Sequence, residues 1–254
     1  MATYKKRGFK PKNKEEEILL DEQESTTAEV FSSLDEGASR SEEWVSRNQN
    51  YILGVTGVIA VAVLGYLAYF QFVEKPKEAS AANEMLYPQQ YFDQALSATA
   101  EKDSLFTLAL NGAEGKYGFL DIIEEYNGTP AANLAKYSAG MAFLNMQKYD
   151  EAINYLEGFS SDDMILGALA KGGLGDAFLQ LNQPSDALGY YEQAVAHSAN
   201  DFTTPKFLYK AGVTALDLKE NDKALKYFQR IKDEYPNSEE ARTIDAFIGK
   251  AKNN

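Results

Sequence analysis

Hydrophobic and polar positions divide the chain into three texts. Residues 1–50 are dominated by charged and polar side chains, residues 51–73 read YILGVTGVIAVAVLGYLAYFQFV without a charge, and from about Ala79 onward apolar positions return at helical spacing. The middle run is the strongest single signal. Its 23 positions, at about 1.5 Å rise per residue, span about 35 Å, enough to cross a hydrocarbon core of about 30 Å with some tilt. Gly54, Gly57, Gly65 and the β-branched residues would weaken a helix in water and are tolerated in lipid. Trp44 and Tyr51 at one end, and Tyr66, Tyr69 and Phe72 at the other, match interfacial aromatics. Fifty residues precede the run, so it reads as an uncleaved anchor and not as a signal peptide. Gly57, Val61 and Gly65 stand at i, i+4 and i+8, a small-residue stripe for close packing of another membrane helix; glycine merely tolerated in lipid is the plainer alternative.

Charge divides the leading segment. Lys5, Lys6, Arg7, Lys10, Lys12 and Lys14 come with no acid among them, whereas residues 15–50 carry eleven acids against Arg40 and Arg47. Arg40 and Arg47 balance Lys75 and Lys77 across the apolar run, and the basic cluster at 5–14 tips the orientation towards a cytoplasmic N-terminus. Residues 1–50 are expected to be a largely disordered charged tail with two short amphipathic pieces, around Val30, Phe31 and Leu34 and around Trp44 and Val45. The acids beside these pieces favour docking on a partner over adsorption to anionic lipid.

After the apolar run the text repeats. KYSAGMAFLNMQKYDEAINYLEGF, KGGLGDAFLQLNQPSDALGYYEQA and LYKAGVTALDLKENDKALKYFQRI each place a glycine (Gly140, Gly175, Gly212), an alanine twelve residues later (Ala152, Ala187, Ala224) and a large apolar residue four beyond (Leu156, Tyr191, Phe228). Small residues at that spacing let two antiparallel helices cross closely while the large one fills the space beside them. Tyr149, Pro184 and Asn221 begin the three second helices, with acids in their first turns, and Pro236 closes the third unit. FLDIIEEYNGTPAA from Phe119 echoes FQRIKDEYPNSEEA from Phe228, giving a fourth unit.

Period, small-residue positions and closing proline resemble tetratricopeptide repeats over roughly 105–250. Two departures stand out. Lys136, Lys171 and Leu208 replace the usual aromatic near the start of each first helix, and Ala215 stands where Phe143 and Phe178 stand. The expected fold is therefore all-α, a single N-terminal transmembrane helix followed by a tetratricopeptide-repeat α-solenoid of about four helix pairs. The expected segments are a cytoplasmic tail 1–50, transmembrane helix 51–73, connecting helix 74–104 and repeat domain 105–254. This arrangement resembles the YfgM-like ancillary subunits of the bacterial Sec translocon, although the tail here is longer. The resemblance implies a single-pass protein of the bacterial inner membrane, its repeat domain in the periplasm, with Sec translocon subunits and a periplasmic chaperone as partners.

Repeats of this kind bind peptides on the face formed by their first helices. Carried over from the family, the groove positions are Tyr137, Met141, Asn145, Asp176, Gln180, Tyr209, Val213 and Asp217. Tyr137, Gly172 and Tyr209 stand where a carboxylate clamp wants a cation, so an apolar or mildly basic partner segment is expected. Ordinary packing between repeats is the competing reading for each residue.

Composition narrows the chemistry. Zero Cys, a single His and 25 Lys+Arg against 38 Asp+Glu exclude disulfides, thiolate catalysis and Cys-ligated zinc, and leave no His-rich metal site. The net charge of −13 opposes nucleic acid. His197, Ser198 and Asp201 are too close in one connection to form a triad, which needs distant segments. Asp162-Asp163 lacks the alternating ligands of a calcium loop, and the glycines at 172, 173 and 175 follow no strand. A non-enzymatic scaffold without cofactor, metal, nucleic acid or small-molecule substrate is expected, held in the lipid bilayer. A different envelope secretion or outer-membrane assembly machine, or a self-associating spacer, are the alternative settings; the polar face of the last helix argues against open-ended stacking.

Overall fold

The computed structural model describes residues 14–253, with side chains from Glu42 onward. The chain divides into two units, one ending at Tyr69 and one beginning at Phe70. The described backbone of the first is a single helix, α1 (Lys14–Tyr69). The expected boundary at residue 50 is not a break in that helix, and residues 14–50, expected as a largely disordered tail, are helical. No proline lies between Pro11 and Pro76, so nothing in the backbone forces an interruption. Residues 1–13, with most of the basic cluster, lie outside the described residues. From Tyr51 to Tyr69 no side chain is buried. A helix this apolar and uncovered on every side is not a core helix of the chain; it is long and apolar enough to cross a membrane.

The second unit opens with a π-helical turn, Phe70–Glu74. Eleven α-helices follow: α2 (Lys75–Glu84), α3 (Leu86–Ser97), α4 (Lys102–Asn111), α5 (Phe119–Glu125), α6 (Pro130–Asn145), α7 (Tyr149–Glu157), α8 (Leu166–Gln180), α9 (Pro184–His197), α10 (Thr204–Asp217), α11 (Asn221–Glu234) and α12 (Ile244–Asn253). No strand occurs among the described residues. The expected connecting helix 74–104 is instead α2, α3 and the start of α4, and it belongs to the domain's core. Phe92 of α3 meets Phe106 of α4 and Phe119 of α5 edge-on, at 5.5 and 6.1 Å between ring centroids. Glu78 of α2 accepts from the Ala131 N–H at the start of α6, as a carboxylate at a helix N-terminus does.

The closely packed pairs are α3/α4, α6/α7, α8/α9 and α10/α11; α5, expected as the second helix of a fourth unit, packs chiefly on α6, and α12 covers α11. The crossings of the last three pairs follow the small-and-large pattern of the sequence. A Cβ on Gly140 would lie 2.6 Å from Leu156 Cγ, one on Gly175 2.5 Å from Tyr191 Cε1, and one on Gly212 2.3 Å from Phe228 Cε1. No side chain fits in those gaps. The alanines at 152, 187 and 224 are fully buried, so each crossing is made by one small residue from each helix.

The first helices α6, α8 and α10 also end alike. Gln147, Asn182 and Lys219 adopt left-handed backbone, φ 62°, 60° and 65°. The following N–H groups of Lys148, Gln183 and Glu220 reach back to the carbonyls of Phe143, Phe178 and Ala215. This Schellman closure satisfies carbonyls left open at a helix end and aims the second helix back along the first.

Candidate interaction surface on the repeats

The groove positions divide between packing and exposure. Tyr137 is half-buried against Phe159, 5.3 Å between centroids. Met141 turns into the junction of α6 and α8, where its Sδ would lie 3.3 Å from a Cβ on Gly173. Tyr209 sits among rings, 5.0 Å from Phe247 and 6.4 Å from Phe228, and Val213 packs partly against the same core. Asp217 is exposed.

Asn145, Asp176 and Gln180 come together. With Leu144, Gln147, Tyr149, Leu179 and Lys210 they line an open depression of about 510 Å³ built from α6, α8 and α10. Asn145 donates to the Met141 carbonyl at 2.8 Å and accepts from Lys102 at 3.4 Å. Asp176 is the centre of a network. Its two oxygens accept from Lys210 Nζ at 2.5 and 2.6 Å, and Oδ1 also accepts from the Tyr191 hydroxyl at 2.7 Å. Burial, reinforced by the Asp176 carboxylate, pushes the Tyr191 phenol well above its ordinary value. Asp176 therefore joins α8, α9 and α10 and is not an unengaged acid of the groove. Lys210 escaped the sequence reading; the available signal was an acid and a base one repeat apart on successive first helices.

Second helices carry another pattern that the sequence reading missed. The Tyr190 hydroxyl of α9 donates to Glu157 of α7 at 2.9 Å, and one repeat on the Tyr227 hydroxyl of α11 donates to Glu192 of α9. Both phenols are pushed up, chiefly by burial and then by the accepting carboxylate. The repetition fixes the register between neighbouring repeats.

The residues set aside as chemistry lie apart. His197 Nε2 faces the Asp163 carbonyl at 3.0 Å and Nδ1 faces Lys171 Nζ at 3.4 Å, so the ring is engaged away from Ser198 and Asp201. Asp163 accepts from the N–H groups of Leu166 and Ile165, which hold its carboxyl below the usual range. Gly172 and Gly175 face Phe207 and Tyr191 inside the domain. No group of three or more metal-ligating side chains occurs among the described residues. In α1 nothing lies within 4 Å of the Cβ positions of Gly57 and Gly65, and Val61 is exposed.

A tetratricopeptide repeat model matches residues 137–202 and again 173–239. The helix pairs within residues 137–239 are tetratricopeptide repeats. The two matches overlap across α8 and α9 and cover the three pairs with Gly–large crossings. Packed helices continue on both sides of the matched span, in α2 to α5 and in α12. No curated protein matches the chain.

Proposed function

We propose that this protein is a non-enzymatic, single-pass membrane scaffold whose tetratricopeptide domain binds protein partners. The observation that carries the reading is the pairing of a helix with no buried side chain over Tyr51–Tyr69 with a packed repeat domain of a protein-binding class. The scaffold stands in the bacterial inner membrane with its N-terminus cytoplasmic and its repeats periplasmic. There it holds a chaperone or an emerging substrate beside the Sec translocon. The basic cluster at 5–14 supports this orientation, and the resemblance in architecture supports the setting. Residues 74–254 carry 17 basic against 27 acidic side chains, a net of −10. Together with Tyr149, Leu144 and Leu179 around the depression, that balance suits an apolar or mildly basic segment.

Mild-detergent purification of the intact protein from its own membranes, with cross-linking mass spectrometry, tests the reading. Cross-links from 42–73 to translocon subunits and from 105–250 to a chaperone or exported chain are expected. Cross-links confined to another envelope complex would replace the partner, and a protein recovered without any partner would overturn the scaffold.

A further inference from the structure

A second cavity lies away from the α6–α8–α10 depression. About 400 Å³ in volume and open to solvent on one side, it is lined by the end of α7, the 158–165 connection, the first half of α8 and the second half of α9. Leu156, Phe159, Ala170 and Leu174 supply apolar wall. Its polar groups are unequal in what they already do. Glu157 is engaged by the Tyr190 hydroxyl. Asp162 is exposed on the connection. Lys171 is half-buried, and no carboxylate lies within ion-pair distance of it among the described residues.

The tautomer of His197 sharpens the point. A carbonyl can only accept, so the 3.0 Å contact with the Asp163 carbonyl requires the proton on Nε2. Nδ1 is then an acceptor, and it takes one of the three Lys171 N–H groups at 3.4 Å. Two ammonium donors remain with no protein acceptor in a half-buried setting, where an unmatched charge is unfavourable. The connection is meanwhile held in place: Asn133 and the Ser160 backbone exchange reciprocal hydrogen bonds of 2.7 and 3.2 Å. The pocket is thus preformed.

We infer that this pocket binds an acidic side chain of a partner protein flanked by apolar residues, with Lys171 as its counter-ion. The carboxylate takes the two spare ammonium donors and the neighbouring apolar residue covers Leu156, Phe159 and Leu174. The inference rests on the reading of the repeats as a protein-binding domain and adds a site of opposite charge preference to the depression. The domain is acidic overall, so an acidic segment is favoured where a cation without a carboxylate partner, Lys171, stands inside a preformed pocket.

His197 is the only histidine of the chain, so its ring nitrogens give an unambiguous reporter. Full-length protein labelled with 15N-histidine, in detergent micelles, is titrated with the capped peptide acetyl-Ala-Leu-Glu-Leu-Ala-amide and with its glutamine counterpart, neither of which has a terminal carboxylate. The expected result is a saturable shift of the His197 nitrogens by the glutamate peptide, at least about tenfold tighter than by the glutamine peptide. K171Q, which keeps a donor to Nδ1 and removes the charge, abolishes the difference between the peptides, and K171R retains it. D233A, an exposed acid on α11, leaves it unchanged. Equal affinity for the two peptides, no saturation in the millimolar range, or preference surviving in K171Q would overturn the pocket. Partner cross-links that persist in K171Q after such a failure would leave the scaffold standing without it.

Discussion

Glycine means opposite things in the two units of this protein. In α1, nothing lies within 4 Å of where a Cβ would stand on Gly54, Gly57 or Gly65; in the repeats, Gly140, Gly175 and Gly212 each face a large side chain inside 3 Å. The same residue is bare surface in one and a closed contact in the other. A helix mid-section gains nothing from glycine's backbone freedom, so the repeat glycines are there for space. The uncovered glycines of α1 contribute to stability within the chain only through helix propensity. Neighbours, not identity, decide what a substitution does.

The largest effect expected follows directly. Gly175→Val drives a branched side chain into the Tyr191 ring and should destabilise the repeat domain by about 1–3 kcal/mol, lowering its melting temperature by several degrees. Gly57→Val should leave that melting temperature unchanged. Circular-dichroism melts of both variants in one detergent make the comparison, and equal melting temperatures would break it. Gly57→Val sharpens it further in membranes: selective loss of cross-links from 51–73 would give the Gly57, Val61, Gly65 stripe a partner helix.

Next in size is the Asp176 network. Asp176→Ala leaves the Lys210 ammonium and the buried Tyr191 hydroxyl without their shared acceptor, at a cost of about 1–2 kcal/mol, the lower end because the ion pair is about one-third exposed. Asp217→Ala, an exposed acid without such partners, should stay within about 0.5 kcal/mol of the parent. Urea midpoints of the two variants measure the difference, which vanishes if Asp176 is only a surface charge.

The phenols add a pH signature. Tyr191 has its pKa raised in the folded protein above the ordinary 10.0. Its contribution is therefore fully present below pH 10 and is lost as pH rises through the folded value, because the unfolded chain ionises first. Urea midpoints should fall from about pH 10 upward. Tyr191→Phe should fall less steeply, although it starts lower for want of one hydrogen bond. Parallel slopes for the two proteins would remove Tyr191 from the alkaline limb.

The repeats were legible because their signal is local. Gly140 and Leu156 are in one sequence window, as are Gly175 with Tyr191 and Gly212 with Phe228, and the crossings lie where that spacing puts them. Contacts between repeats were not legible. Tyr190 reaches Glu157, and Lys210 reaches Asp176, across a full period, where no single window holds both partners. Helices α3 and α4 were hidden for another reason: they pack through Phe92, Phe106 and Phe119 and carry no Gly–large pair. The departure at Ala215 did alter packing. Phe143 stacks on Tyr155 at 5.3 Å and Phe178 on Tyr190 at 5.1 Å, whereas Ala215 offers no ring to Tyr227 and the last repeat gathers its aromatics around Phe247 instead.

The smallest effect expected inverts the first. At the end of α10, Lys219 holds φ at 65°, a conformation that crowds the Cβ of an L-residue and costs about 1–2 kcal/mol relative to glycine. Its side chain is exposed and makes none of the contacts that hold the turn; the Lys219 and Glu220 N–H groups make those, to Leu216 and Ala215. Lys219→Gly keeps both hydrogen bonds and removes the crowding. Part of the gain is offset because glycine makes the unfolded chain more mobile, by about 0.5–1 kcal/mol. A net stabilisation of a few tenths to about 1 kcal/mol remains. A glycine added at this turn should thus raise the melting temperature, while Gly175→Val lowers it. If Lys219→Gly destabilised the domain, the turn would depend on the lysine side chain and not on its backbone.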